Sequence, residues 1–157
     1  MNVSLGQILA EGLEARFVRH RALGCACQAA IAVLGLGQVP LRPELAGHTM
    51  TAPRYPQGVA GTELLPRVQA AGATLAGGLH PAIKAEYFRI GHMGAASLGD
   101  LLATIGALET GLRQCGYEFA SGAGVAAAIA AYQEVRECNS RTSRSATPPR
   151  GPSKGEL

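Results

Sequence analysis

The sequence is short of the residues on which several common kinds of active site depend. Its 157 residues include no tryptophan, one aspartate (Asp100) and two lysines (Lys84 and Lys154). Asp100 follows Ser97 at the spacing of a capping box at a helix start, so Ser-His-Asp catalysis has no support. Lys84 lies in a polar loop and Lys154 in a polar C-terminal stretch. Neither lysine is therefore typical of a Schiff-base lysine held in a buried pocket.

Aromatic residues are also scarce, at 4% of the sequence, whereas hydrophobic residues as a whole make up 47%. A chain of this length suits one domain and leaves no room for a second of full size. The composition therefore predicts one core that is built mainly from leucine, valine, isoleucine and alanine.

Excess positive charge is confined to the C-terminal end. The formal net charge is +3, and residues 139–157 hold four basic residues against one acidic residue, so this segment carries the whole excess. Residues 1–138 are neutral, which predicts no basic face for nucleic acid. The segment is rich in Ser, Thr, Pro and Gly, so we expect a folded domain over residues 1–138 and a disordered basic tail over residues 139–157.

The chain has little that indicates secretion, a membrane or a metal. Its four cysteines lack zinc spacing and are expected to be free thiols: Cys25, Cys27, Cys115 and Cys138. It has no signal-peptide pattern and no long, glycine-free apolar stretch, so we expect an intracellular protein without a membrane span. Its final residues, Gly-Glu-Leu, are not a peroxisomal tripeptide, and the cytoplasm and the peroxisome both remain open.

Hydrophobic periodicity predicts an α+β fold that begins with a long helix over residues 4–34. Its apolar residues recur at steps of three and four: Leu5, Ile8, Leu9, Leu13 and Phe17. The later predicted elements are strands at 48–55, 74–76 and 87–92 and helices at 62–71, 97–112 and 122–137. This order predicts a small, mainly antiparallel sheet of about three strands with helices on one face. The uncovered face indicates that a covering partner is missing.

Arg89 is the most informative candidate site residue. It lies between Phe88 and Ile90 on a predicted strand, so alternation places it on the opposite face from both. If Phe88 and Ile90 pack against the helices, Arg89 points to the uncovered face, where a guanidinium can bind a carboxylate in a bidentate manner. On the pattern alone, a solvated arginine is the simpler interpretation. The nearby His92 is interpreted as a hydrogen-bonded structural residue.

Two runs in this region resemble class V aminotransferases, and within them the alanine–glyoxylate and serine–pyruvate group. These are Leu-Ala-Gly-Gly-Leu-His at 75–80 and Phe-Arg-Ile-Gly-His-Met-Gly at 88–94. Residues 8–14 are similar to part of the long helix that leads into the small C-terminal domain of that family. The resemblance covers about residues 4–117, and residues 95–100 are shorter than the loop that usually follows the arginine strand.

The resemblance implies that Arg89 binds the α-carboxylate of the amino-acid or keto-acid substrate. It also implies pyridoxal 5'-phosphate as cofactor and a homodimer for the complete enzyme. The family holds the cofactor through a lysine, an aspartate and a phosphate-binding turn in a large N-terminal domain, and this sequence contains none of these. We therefore expect the C-terminal small domain of a transaminase, inactive alone. The alternative is a non-catalytic α+β interaction module derived from that domain.

Overall fold

The computed structural model describes the backbone of residues 2–145 and the side chains of residues 2–141. The elements are α1 (Asn2–Glu11), α2 (Leu13–Val33), a 3₁₀ turn (Pro43–Leu45), β1 (Met50–Thr51), α3 (Gly61–Ala70), β2 (Ala76–Gly77), β3 (Phe88–Gly91), α4 (Leu98–Gln114) and α5 (Ala123–Ser145). Within this range, no helix combines the length and the apolar character that a membrane crossing needs.

The three strands form one antiparallel sheet with the order β1-β3-β2, which confirms the predicted fold class. In this sheet Thr51 pairs with Ile90, and Ala76 pairs with Arg89. All three strands are shorter than predicted. Two isolated bridges follow β1. Arg54 pairs with Tyr87, which continues the pairing of β1 with the segment of β3, and Pro53 pairs with Gln38. The central strand β3 is therefore fixed from both sides.

The core lies between one face of this sheet and the helices. Phe88 and Ile90 on β3 are buried in it, as alternation predicted, and Phe88 is the largest fully buried side chain. The other core members come mainly from α2, α3 and α4 and are mostly aliphatic or alanine, as the composition predicted. The helices α3 and α4 approach closely at Gly111, where an added Cβ would lie 2.7 Å from Cγ2 of Val68.

The predicted long N-terminal helix is divided into α1 and α2 at Gly12. This residue has a φ of 82°, a value that favours glycine and interrupts a right-handed helix. The apolar side chains of the predicted stripe lie mostly on the surface and have large exposed fractions: Leu5, Leu9, Leu13 and Phe17, with Val3. Helix α1 contributes no buried residue, so its apolar face is uncovered within the described part of the chain.

The two C-terminal helices begin at different kinds of cap. At α4 the predicted capping box is confirmed, because Ser97 Oγ accepts from the Asp100 amide and Asp100 Oδ2 accepts from the Ser97 amide. At α5 the buried carboxylate of Glu109 performs this role from α4. It accepts hydrogen bonds from the amides of Gly122 (2.7 Å), Gly124 (2.9 Å) and Val125 (3.3 Å). Glu109 therefore joins two helices that pack against each other.

Helix α5 is longer than predicted. It continues to Ser145, beyond its predicted end at residue 137, so residues 139–145 are helical. A polar helix can extend from a packed one because each further residue adds a backbone hydrogen bond to an existing nucleus. The remainder of the predicted tail, residues 146–157, lies outside the described residues.

Candidate functional site

Arg89 lies in the middle of β3, on the sheet face that points away from the core. Its neighbours Phe88 and Ile90 are buried, whereas Arg89 is partly exposed. Ala76 is its partner on β2, and continuing the register of β1 places Ala52 on its other side. Two alanines do not shield a guanidinium, so the local sequence leaves the Arg89 side chain accessible.

One edge of the Arg89 guanidinium is already bound. Nε donates a hydrogen bond of 2.8 Å to the carbonyl oxygen of Gly77 on β2. Within residues 2–141, Arg89 makes no ion pair, and neither Nη1 nor Nη2 donates a hydrogen bond. By contrast, Arg16 and Arg54 are paired with glutamates. The terminal edge of Arg89 is therefore available to bind an external anion through two parallel N–H bonds.

The second residue of the glycine pair, Gly78, is explained by Tyr87, a contact that the sequence did not reveal. The Tyr87 ring lies across Gly78, where an added Cβ would be 2.6 Å from Tyr87 Cε1. Its hydroxyl oxygen accepts hydrogen bonds from the amides of Leu79 (2.9 Å) and His80 (3.2 Å), and these bonds lower the pKa of Tyr87. The only signal in the sequence is that alternation places residue 87 on the same face as residue 89.

His92 is a structural residue, as interpreted from the sequence. It is fully buried, its Nε2 is 2.9 Å from Oγ1 of Thr51, and its amide donates to the carbonyl of Thr49. Burial lowers the pKa of His92 to about 4, so the ring is neutral near pH 7. Cys27 is likewise buried, and burial raises the pKa of its thiol to about 11. Both groups are therefore uncharged near pH 7, and His92 holds the end of β3 to β1.

The buried neutral state of His92 predicts a loss of stability in mild acid. The pKa of His92 is about 4 in the folded state, below its ordinary value of 6.5, so the unfolded chain binds this proton first as the pH falls. The contribution of the neutral His92 imidazole to the free energy of unfolding is complete above about pH 6.5. It is lost as the pH falls towards about 4. We expect the free energy of unfolding, from urea titrations, to be about 2 kcal/mol lower at pH 5 than at pH 7.5.

Two variants test whether His92 causes this pH dependence of stability. His92→Gln should remove most of the pH dependence, whereas His80→Gln, at an exposed histidine, should retain it. A His92→Gln protein that lost the same stability between the two pH values as the unsubstituted chain would contradict this explanation.

Arg19 holds the segment that follows β3, a role that the sequence did not reveal. Its Nη1 donates to the carbonyl of Ala96 (2.8 Å) and its Nη2 to the carbonyl of Gly94 (2.9 Å). Its Nε also donates to Glu11 (2.6 Å), and the hydrogen bonds and charges of Arg19 and Arg16 lower the pKa of Glu11 to about 2. Arg19 therefore connects the junction of α1 and α2 to the loop beyond Arg89.

The described residues do not fit a pyridoxal phosphate site. That cofactor needs a lysine in a closed pocket, and Lys84 is exposed in the turn before β3. Lys84 lines a cavity of about 670 Å³ with Tyr55 and Pro66, and no buried acidic side chain lines this cavity. Lys154 lies outside the described residues. The described residues around Arg89 therefore supply no lysine to hold the cofactor.

Comparisons with known proteins found relatives in sequence and in structure. No protein-family model matches the chain. A serine–glyoxylate aminotransferase from Arabidopsis thaliana is 34% identical over 129 residues, which cover 82% of this chain and 32% of that protein. A protein named as the small subunit of a soluble hydrogenase, from Synechococcus, is 38% identical over 134 residues, covering 82% of this chain and 33% of the other.

The fold is similarly matched by solved structures. The crystal structure of pyridoxamine–pyruvate aminotransferase from Mesorhizobium loti superposes with a TM-score of 0.79 at 30% identity, over 84% of this chain and 34% of that one. The chain therefore spans about a third of the length of the relatives it matches.

Proposed function

The chain belongs to the class V aminotransferases of the alanine–glyoxylate type, in which it corresponds to the C-terminal small domain, and we propose that it supplies the arginine that binds the substrate carboxylate. That residue is Arg89. The proposed substrates are an α-amino acid and an α-keto acid, glyoxylate or pyruvate among the latter, because one guanidinium can orient both through the group that they share.

The observation that carries this proposal is the unpaired terminal edge of Arg89 on an open sheet face. A carboxylate matches the two parallel N–H groups of that edge in spacing and in charge. No glutamate or aspartate within the described residues neutralises Arg89, so an incoming acid has no internal competitor. The alanines beside Arg89 leave space for the rest of a small metabolite.

The remaining chemistry is proposed to come from outside the described residues. Pyridoxal phosphate, when bound in the complete enzyme, supplies the electron sink for amino transfer. Arg89 would hold the acid group so that the reacting carbon is oriented towards that cofactor, and its own charge would stay unchanged. A homodimer is proposed for the complete enzyme, in keeping with the family resemblance.

A non-catalytic interaction module is the second candidate. It is supported by the exposed apolar side chains of α1 and the start of α2, because such a surface is typical of one that contacts another protein segment. This candidate does not explain why Arg89 is unpaired. No contact among the described residues favours the hydrogenase function that the name of the Synechococcus relative indicates.

A reconstitution experiment tests the proposed function. The full chain is mixed with a cofactor-bearing large domain from a glyoxylate aminotransferase, and the cofactor absorbance is followed after addition of alanine or of alaninamide. We expect a rapid spectral change with alanine and a much weaker one with the amide, which lacks the carboxylate. Equal responses to the two compounds, or no response to alanine in a complex that forms, would refute the proposal.

A further inference from the structure

The contacts of Tyr87 have a consequence for the neighbouring Arg89. We propose that Tyr87 is a positioning residue that fixes the Gly77 carbonyl and so makes Arg89 present only its Nη1–Nη2 edge to a carboxylate. This inference deepens the proposed function and rests on it.

Strand β2 cannot fix the Gly77 carbonyl by itself. It is a two-residue strand at the edge of the sheet, paired only with β3. Gly77 and Gly78 have the widest choice of backbone conformations of any residue type, and so short a strand supplies few hydrogen bonds to limit it. The carbonyl direction at Gly77 therefore depends on what holds the segment that follows.

Tyr87 holds the segment that follows β2 at three consecutive residues, 78–80. Its ring lies against Gly78, where an added Cβ would be 2.6 Å from Tyr87 Cε1 and, on the backbone of the preceding turn, 2.6 Å from the Lys84 carbonyl oxygen. Its hydroxyl accepts the amides of Leu79 and His80, at 2.9 and 3.2 Å. Tyr87 is 7% exposed and precedes β3 directly, so the phenol is itself held firmly.

The Gly77 carbonyl in turn orients the Arg89 guanidinium. The held carbonyl oxygen of Gly77 accepts a hydrogen bond of 2.8 Å from Arg89 Nε. This bond fixes the plane of the guanidinium and occupies the edge that contains Nε. A carboxylate then has only the terminal edge available for a bidentate contact. Without this restraint the long arginine side chain would sample several rotamers, and binding would have to overcome that entropy.

The inference is tested first on the full chain without cofactor. In ¹⁵N-labelled protein, hydrogen exchange of the Arg89 Nε–H is measured by NMR, because the bond to Gly77 slows it. Tyr87→Phe retains the ring and removes the acceptor oxygen, and it should speed this exchange about five- to tenfold, as the loss of one ordinary hydrogen bond does. Tyr117→Phe is the matched control, since it removes a phenol that donates to Leu34, far along the chain.

An unchanged exchange rate in Tyr87→Phe would overturn the inference. An equal rise in Tyr117→Phe would also overturn it, because a general loss of stability would then be responsible. In the reconstituted enzyme, Tyr87→Phe should raise the KM for alanine about fivefold with little change in kcat, and should have no further effect when Arg89 is already alanine. If Arg89→Ala alone leaves the alanine KM unchanged, the proposed function fails, whereas the exchange measurement still decides the role of Tyr87.

Discussion

Replacement of Arg89 by alanine in the reconstituted enzyme is expected to raise the KM for alanine and for glyoxylate about 30- to 800-fold. Loss of a charge-assisted bidentate contact weakens binding by about 2–4 kcal/mol, and each 1.4 kcal/mol corresponds to a factor of ten. The cofactor absorbance before substrate addition should not change, because Arg89 is proposed to bind the substrate and not the cofactor. Steady-state kinetics with a cofactor spectrum for each variant measure both quantities.

Two further variants separate charge from geometry at this position. Arg89→Lys keeps a cation but cannot form two parallel N–H bonds in one plane, so its KM should lie between those of the unsubstituted protein and Arg89→Ala. Arg67→Ala is the control, because Arg67 is on α3 and is paired with Glu63 and Cys115. Equal kinetics for Arg89→Ala and Arg67→Ala would show that Arg89 does not bind the substrate.

Replacement of Glu109 by alanine is expected to lower the free energy of unfolding by about 3 kcal/mol. The carboxylate is buried and accepts three amides at the start of α5, and its removal leaves these donors without a partner. For a domain of this size, the corresponding decrease in Tm is about 10 °C. Thermal unfolding followed by circular dichroism at neutral pH measures this decrease.

The control for this prediction is Glu118→Ala, which removes an exposed glutamate from the loop between the same two helices. It should change the Tm by no more than about 2 °C, because surface substitutions usually have small effects. Glu109→Gln keeps one acceptor oxygen and should give an intermediate value. If Glu109→Ala and Glu118→Ala have the same Tm, the three hydrogen bonds contribute nothing measurable and the interpretation of α5 is wrong.

The sequence predicted those parts of the fold that local patterns determine. Period-two alternation placed Phe88 and Ile90 in the core and Arg89 on the other face, because a strand that is buried on one side has no other register. The Ser97–Asp100 spacing correctly predicted the start of α4, because a capping box needs only residues that are close in the chain. The three-stranded antiparallel sheet followed from the order and spacing of the elements.

The remaining features depend on contacts between distant segments. Glu109 caps α5 from another helix, and Arg19 binds the carbonyls of Gly94 and Ala96, so no local pattern marks either residue. The apolar side chains of the first helix recur at helical spacing, as predicted. That spacing does not show whether another segment covers them. Tyr87 was missed because its effect requires the turn after β2 to fold back beneath its ring.

The break at Gly12 has a consequence for the direction of the first helix. An added Cβ at Gly12 would meet no atom within 4 Å, so the direction of α1 is set there by backbone handedness and not by steric fit. A single substitution at Gly12 can therefore change the direction of α1 without altering the interior of the domain.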